Sequence, residues 1–213
     1  MFEQQKEYTD KKVSEGIEKY RKGNAEIIVT DKSGKPIHNV EIKAKQKSHE
    51  FRFGANLFML DELETEEKNE KYKKYFADVF NMATLPFYWD ATEPEKEKTR
   101  YDKDSKKLYR RPPIDLCIEF CEKYGIEPRE HALAYDAFFP KWLYEANVAQ
   151  VKEALEKRYK EISERYADKI HTIEVTNEME WKKGKTSFYD EPDFVEWCFK
   201  LAEKYFPKNQ LCI

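Results

Sequence analysis

Glycine is scarce in this sequence, which contains six glycines among 213 residues. No GxGxxG string and no P-loop string occurs. The chain therefore lacks the glycine-rich loops that let a backbone approach a pyrophosphate or a nucleoside triphosphate. We do not expect a dinucleotide-binding or phosphate-binding loop.

Cysteine is also sparse, and its spacing does not indicate a metal site. Cys117, Cys121, Cys198 and Cys212 show neither the CxxC spacing of a zinc site nor the density of a disulfide scaffold. We expect these four residues to behave as small buried apolar side chains.

Long apolar runs and an excess of one charge are absent as well. No run reaches the roughly 18 apolar residues that span a bilayer, and residues 1–13 lack the apolar core of a secretory signal. The 39 basic and 42 acidic residues leave a net charge of −3, which argues against a nucleic-acid partner. We expect a chain that is cytoplasmic or already processed, with no membrane partner.

Aromatic residues, by contrast, are abundant. Fourteen Tyr, fourteen Phe and four Trp make up 15% of the chain. Most aromatic side chains lie in protein cores, and the remainder serve surfaces that grip flat, partly apolar ligands such as sugar rings.

Residues 1–49 read as a small appendage. Residues 11–22 place Val13, Ile17 and Tyr20 at helical spacing, with Gly23 as a stop. The β-rich runs AEIIVTD and VEIKAKQ then flank the turn DKSGKPIHN. This pattern predicts a helix followed by a β-hairpin or part of a small β-sandwich.

Residues 50–213 alternate between strand and helix patterns. Predicted strands are FRFGANLF, NMATLPFYW, PREHALAY, IHTIEVTNE and the start of a fifth, NQLCI. Helices between successive strands require a parallel sheet with right-handed crossovers. A doubly wound sheet or a (β/α)₈ barrel satisfies this, and the missing glycine loops favour the barrel. We therefore predict an α/β fold, a partial barrel comprising strands one to four and the start of strand five.

Polar residues follow two of these strands at their carboxyl ends, where barrels place reacting groups. His131, Tyr135 and Asp136 lie along and after strand three, and Asn177 and Glu178 end strand four. A carboxyl group among aromatic residues at a barrel mouth is expected to be partly desolvated, as a general acid requires. The competing interpretation is that Glu178 caps the following helix or pairs with a lysine.

Several strings, in order, resemble glycoside hydrolase family 10, the retaining endo-β-1,4-xylanases. FRFGAN resembles the family's FxFGxA, FNMAT with WDATEP its second strand and loop, REHALAYDAFFPKW its GHxLxWHxxxPxW, and IEVTNE its DVVNE. The resemblance covers residues 51–213, and the ordered combination is far more specific than any single string.

The resemblance implies roles for individual residues. Glu178 matches the acid/base, Asn177 the neighbour that binds the sugar 2-hydroxyl, and His131 the histidine that contacts the sugar. Further substrate-binding residues predicted in the cleft are Tyr135, Asp136, Trp89, Trp142 and Trp181. The implied reaction needs no metal and no organic cofactor.

The chain also departs from the family pattern. LPFYW replaces the family's ENxxKW, and Tyr135, Asp136 and Phe138 replace its Trp, His and Gln. The family's nucleophile, a Glu on strand seven, has no counterpart in the chain, although retaining hydrolysis needs two carboxyl groups about 5–5.5 Å apart.

The first hypothesis is therefore a secreted or periplasmic glycoside hydrolase that acts on β-1,4-xylan through Glu178 and is inactive as this chain alone. The alternatives are a non-catalytic carbohydrate-binding or remnant barrel protein, and another retaining glycosidase of the same clan. An open half barrel would expose strand edges and an apolar interior. We expect a homodimer or a missing C-terminal half to cover it.

Overall fold

The structure is a computed structural model that describes residues 3–47, 49–180 and 183–213. The chain divides into two compact units, Met1–Ser48 and His49–Ile213. Each unit is described separately below.

The first unit contains helix α1, Lys6–Tyr20, and a turn closed by one antiparallel bridge between Thr30 and Pro36. Asp31 organises this turn, since its carboxylate accepts hydrogen bonds from the amides of Ser33 and Lys35. The predicted hairpin is thus present as a single bridged turn, and the two flanking runs are not assigned as strands. Ile27, Ile28, Val40 and Ile42 of these runs lie exposed, so these side chains pack on no apolar layer of the described residues.

The second unit is a five-stranded parallel sheet in sequence order. Its strands are β1 Gly54–Asn56, β2 Met82–Pro86, β3 Glu127–His131, β4 Thr172–Glu174 and β5 Gln210–Cys212, each paired in parallel with the next. The predicted α/β sheet is confirmed, including the start of strand five.

Helices connect the strands as the sequence patterns predict. They are α2 Glu66–Val79, the short α3 Trp89–Thr92, α4 Ile114–Tyr124, α5 Val148–Tyr166 and α6 Phe194–Tyr205. Gly125 ends α4 at a φ of 64°, the left-handed conformation that glycine adopts without strain. Asn147 begins α5 with a capping box, in which its side chain and that of Gln150 each bind the other's backbone amide.

The two faces of the sheet differ in composition. Ala83, Leu85 and Ile173 are fully buried within the apolar core that also contains residues of the helices. The opposite face carries one polar row across four strands, in which Thr84, Arg129, Thr172 and Gln210 are aligned by the strand register.

The expectation of an apolar open interior is therefore wrong. Arg129 pairs with Glu174 on this face, and Arg52 pairs with Glu127 at 2.6 Å. Because strand residues alternate between faces, the same register that buries Ile173 directs these ion pairs to the open side. Water can solvate this face at a lower cost than an apolar one.

Cys117, Cys121 and Cys198 are buried free thiols, as predicted, and Cys212 is half-buried. Burial raises the pKa of Cys121 and of Cys198 to about 12, which keeps both thiols protonated and unreactive. Within the described part of the chain, no helix is both long enough and apolar enough to cross a membrane.

Candidate active site

The candidate site lies at the carboxyl ends of β2, β3 and β4. Past its last strand residue, β4 continues to a parallel bridge between Thr176 and Ala134, so the extensions of β3 and β4 stay in register beyond the sheet. This pairing brings Tyr135, the next residue on one extension, close to Asn177 and Glu178 on the other.

Tyr135 and Glu178 are joined directly. The Tyr135 hydroxyl donates a hydrogen bond to Oε2 of Glu178, and the Asn177 side chain also approaches this hydroxyl. Burial raises the pKa of Tyr135, and the hydrogen bond to Glu178 acts in the same direction. Tyr135 therefore stays protonated and remains a donor to the carboxylate at neutral pH.

Glu178 departs from the sequence expectation in its surroundings. Glu178 is exposed rather than partly desolvated, and the buried Tyr135 is its hydrogen-bond partner. Its φ of 51° is in the left-handed region, which costs a non-glycine residue free energy and is concentrated at functional positions. The carboxylate is accessible to a ligand.

His131 ends β3 and is held on both ring nitrogens. Its Nδ1 lies 3.1 Å from Oε1 of Glu174, and its Nε2 lies 3.1 Å from the Tyr88 hydroxyl. Glu174 is 3% exposed and also accepts a hydrogen bond from Arg129. This network fixes the ring orientation, because Nδ1–H donates a hydrogen bond to the buried Glu174 carboxylate and Nε2 accepts one from the Tyr88 hydroxyl.

Asp136 forms hydrogen bonds with the loop after β4. Its carboxylate accepts hydrogen bonds from the backbone amides of Lys185 and Thr186, and from the Thr186 hydroxyl at 2.6 Å. The residue is 4% exposed. Its oxygens are thus occupied by a segment about 50 residues away in the sequence, and its predicted contact with sugar stays a prediction.

Trp89 and Trp142 pack against described residues other than Glu178. Trp89 is 2% exposed, packs edge-on against Phe139 and donates from Nε1 to Oε2 of Glu93. Trp142 is half-buried and lines a cavity of about 460 Å³ beside Glu97 and Lys157. Trp181 lies outside the described residues.

A second cavity adjoins the site through Tyr88. It measures about 380 Å³ and is lined by Phe58, Tyr88, Asp90, Ala91, Leu108, Tyr109, Arg110 and Arg111. The sequence reasoning missed Phe58 and the two arginines, although the basic run KKLYRRPP before α4 was a visible signal. Among the described residues, no group of three or more His, Cys, Asp or Glu side chains could hold a metal ion.

Solved structures share this arrangement of strands. An endo-1,4-beta-xylanase from Caldicellulosiruptor owensensis superposes with a TM-score of 0.60 and 19% identity, covering 76% of this chain and 49% of that one. Xylanase 10B from Thermotoga maritima gives a TM-score of 0.60 and 20% identity over 75% and 48%. These likenesses concern the fold, and they confirm that the sheet is about half of a barrel.

Sequence comparisons point to the same family. The anti-sigma-I factor RsgI6 of Acetivibrio thermocellus is 29% identical over 170 residues, which are 78% of this chain and 20% of that protein. Endo-1,4-beta-xylanase 2 of Arabidopsis thaliana is 25% identical over 75% of this chain and 14% of its own length. The chain thus spans about a fifth or less of these relatives. The model of glycosyl hydrolase family 10 matches residues 42–213, so this chain belongs to glycosyl hydrolase family 10.

Proposed function

We propose that this chain supplies the acid/base half of a glycoside hydrolase site that acts on β-1,4-xylan or a related glycan. The observation that carries the proposal is the hydrogen bond from Tyr135 to an exposed Glu178 at the end of β4. A glycosidase acid/base must reach the glycosidic oxygen and be held in one orientation, and this pair meets both needs.

The proposed chemistry follows from the two protonation states of Glu178. As an acid, Glu178 protonates the leaving glycosidic oxygen. As a carboxylate, it then takes a proton from the incoming water, and the Tyr135 hydroxyl stabilises this charged form. Asn177 and His131 are the proposed contacts to the sugar on either side of the acid.

The nucleophile is proposed to come from outside this chain. Glu174 is buried and committed to Arg129 and His131, so it is not free to attack an anomeric carbon. We therefore expect the 213 residues alone to release no reducing sugar from xylan. No metal and no organic cofactor enters this scheme.

An added anion tests the proposal on the chain as it exists. Azide can attack the anomeric carbon of phenyl β-xylobioside while the bond to the aryl oxygen breaks and the acid delivers a proton to that oxygen. Because phenolate is a poor leaving group, we expect azide-dependent release of phenol, reduced at least tenfold by Glu178→Gln and unchanged by Glu180→Gln in the same loop. Equal rates for the Glu178→Gln chain would contradict the role of Glu178.

A non-catalytic carbohydrate-binding protein is the second candidate. Tyr88 and Arg111 lie beside the cleft, LPFYW replaces the residues that hold the glycone sugar in the family, and one relative is named as an anti-sigma factor rather than as an enzyme. The proposed aromatic cleft is Tyr88, Trp89, Tyr135, Trp142 and Trp181. Calorimetric binding of xylohexaose without any azide-dependent turnover favours this candidate, and absence of binding counts against both.

We further propose that residues 50–213 form the sugar-binding part of the chain and that residues 1–49 are an appendage. The proposed location is the periplasm or the exterior of the cell, where xylan is present. A second copy or a C-terminal half barrel would cover the open face of the sheet. Because that face carries ion pairs, its cover is expected to be polar. Sedimentation velocity of the 213-residue chain tests for the homodimer.

A further inference from the structure

Arg111 differs from Arg100 and Arg158, two buried arginines of the second unit, in how its guanidinium is hydrogen-bonded. Arg158 donates to the carbonyls of Leu133 and Phe87 and to the Thr92 hydroxyl. Arg100 donates from all three of its nitrogens to backbone carbonyls. Both are structural cations whose donors are paired within the protein.

Arg111 makes one such bond. Its Nη1 donates to the carbonyl of Arg110 at 2.9 Å, and among the described residues it forms no ion pair. The side chain is half-buried, and burial lowers its pKa. Asp90 lines the same cavity and favours the charged form of Arg111 without forming an ion pair with it, so most N–H donors of this half-buried cation remain available to a ligand.

Aromatic rings hold this guanidinium in place. Its central carbon lies 3.9 Å from the centroid of Tyr88, 5.4 Å from that of Phe138 and 5.6 Å from that of Phe58. Stacking on a ring leaves the edge of the guanidinium free, and that edge carries the paired N–H groups that fit a carboxylate. The fork is therefore positioned before any ligand arrives.

The cavity in front of Arg111 suits a sugar. Its volume of about 380 Å³ lies within the range of roughly 300–1,000 Å³ that is typical of small-ligand sites. Tyr109 lines it and is 76% exposed, which provides a ring for the apolar face of a pyranose. Two arginines and one aspartate line the cavity, so its charge is net positive.

The cavity is also connected to the candidate active site. The ring of Tyr88 contacts Arg111, and the hydroxyl of the same residue contacts His131. Tyr88 thus links the two sites, and a side group of a glycan at His131 would need to extend only past this one side chain to meet the guanidinium.

We propose that this cavity binds the carboxylate of a hexuronic acid carried by a β-1,4-glycan, with Arg111 as the carboxylate-binding residue. The assignment rests on the proposed function, because it takes the uronic acid to be part of that glycan substrate. It gives the site a preference for acidic over neutral glycan.

Calorimetry on the 213-residue chain tests the preference with two probes. These are xylotetraose that carries one glucuronic acid group and unsubstituted xylotetraose. We expect the acidic probe to bind at least tenfold more tightly, a difference of about 1.4 kcal/mol. Arg111→Gln should abolish this difference, and Lys106→Gln, which removes a charge from the same segment outside the cavity, should preserve it.

Other outcomes overturn the proposal. Equal affinity for both probes would do so, as would a preference that survives in Arg111→Gln or that disappears equally in Lys106→Gln. If Arg111→Gln fails to fold, Arg111→Lys replaces it, because lysine keeps the positive charge and removes the paired N–H donors of the guanidinium. An unchanged preference for the acidic probe in Arg111→Lys would show that bidentate binding by Arg111 is not its cause. If sodium sulfate and free glucuronate displace the acidic probe equally well, the cavity is a general anion site instead.

Failure of the proposed function gives a different result. In that case azide-dependent turnover is absent, or insensitive to Glu178→Gln, while the Arg111-dependent binding of the acidic probe persists. Glu178-dependent turnover of the aryl xylobioside, together with equal binding of the two calorimetry probes, rejects the uronate site alone.

Discussion

Glu130 is a carboxyl group buried completely on the helix-covered side of the sheet. Its Oε2 accepts from the backbone amide of Glu174, and its Oε1 has no hydrogen-bond partner among the described residues. Burial raises its pKa well above the ordinary value, and the positive charge of Arg158 opposes that rise. The folded chain therefore binds this proton more tightly than the unfolded chain does.

This difference predicts a pH-dependent stability. The contribution of Glu130 is fully present below the unfolded-state pKa of about 4.5 and is lost as the pH rises toward the raised folded-state value. Glu130→Gln should remove that loss and gain about 1–3 kcal/mol relative to the natural chain at pH 8, with little difference at pH 4. Urea unfolding at both pH values measures it.

The matched control is Glu119→Gln, an exposed carboxylate paired with Lys103, for which the pH profile should not change. A Glu130→Gln chain that is less stable at every pH would show that Glu130 is ionised and compensates the charge of Arg158.

The hydrogen bond of the Tyr135 hydroxyl can be tested separately from the packing of its ring. Tyr135→Phe retains the ring contacts with Tyr88 and Phe138 and removes the donor to Glu178. Because hydrogen bonds to charged groups contribute about 1.5–3 kcal/mol, the azide-dependent rate should fall about tenfold or more. Tyr75→Phe, on the exposed surface of α2, should leave the rate unchanged. A full rate in Tyr135→Phe would make Tyr135 a packing residue only.

Among the elements, α5 has the clearest local signal. Asn147 and Gln150 satisfy backbone amides at its first turn, so Asn147→Ala should lower the free energy of unfolding by about 1 kcal/mol, within the range of roughly 0.5–2 kcal/mol for such caps. Asn24→Ala in an exposed, non-helical segment should have no effect. Thermal unfolding of both variants measures the difference, and equal melting temperatures would show that α5 is set by its apolar face alone.

Features that arise from residues close together in the sequence were predictable, as the helix cap at Asn147 and the glycine after α4 show. The run AEIIVTD was less predictable, because a β-rich run becomes a strand when it finds a layer to pack on, and Ile27 and Ile28 lie exposed. Asp136 and Arg111 depend on partners distant in the sequence. No local pattern shows that Asp136 meets Thr186, or that Arg111 meets Tyr88.

The loop after β4 carries a prediction of its own. Asp136 satisfies the amides of Lys185 and Thr186, so Asp136→Asn should loosen this loop by removing a charged acceptor. Hydrogen exchange of these two amides should become about tenfold faster or more, corresponding to 1.4 kcal/mol of lost protection. Asp104→Asn on the exposed surface is the control. If the exchange rates of the two amides are unchanged in Asp136→Asn, the ring contacts of Phe188 stabilise the loop instead.

At the scale of the whole molecule, the buried core belongs to the second unit. Every residue of the main apolar cluster lies at position 55 or beyond, whereas helix α1 has no buried residue and its Val13, Ile17 and Tyr20 are exposed. Since burial of apolar surface is the main favourable contribution to folding, the first unit supplies little of the stability.

Removal of residues 1–48 should therefore leave residues 49–213 folded. We expect a cooperative thermal transition within about 5 °C of the full chain, because a loss of less than about 1 kcal/mol shifts the midpoint by only a few degrees in a domain of this size. Circular dichroism follows the transition, and calorimetry with xylotetraose should give the same affinity for both lengths. A shortened chain that loses its cooperative transition would mean that the β-rich runs before position 48 complete the fold, even though their side chains contribute nothing to the main core.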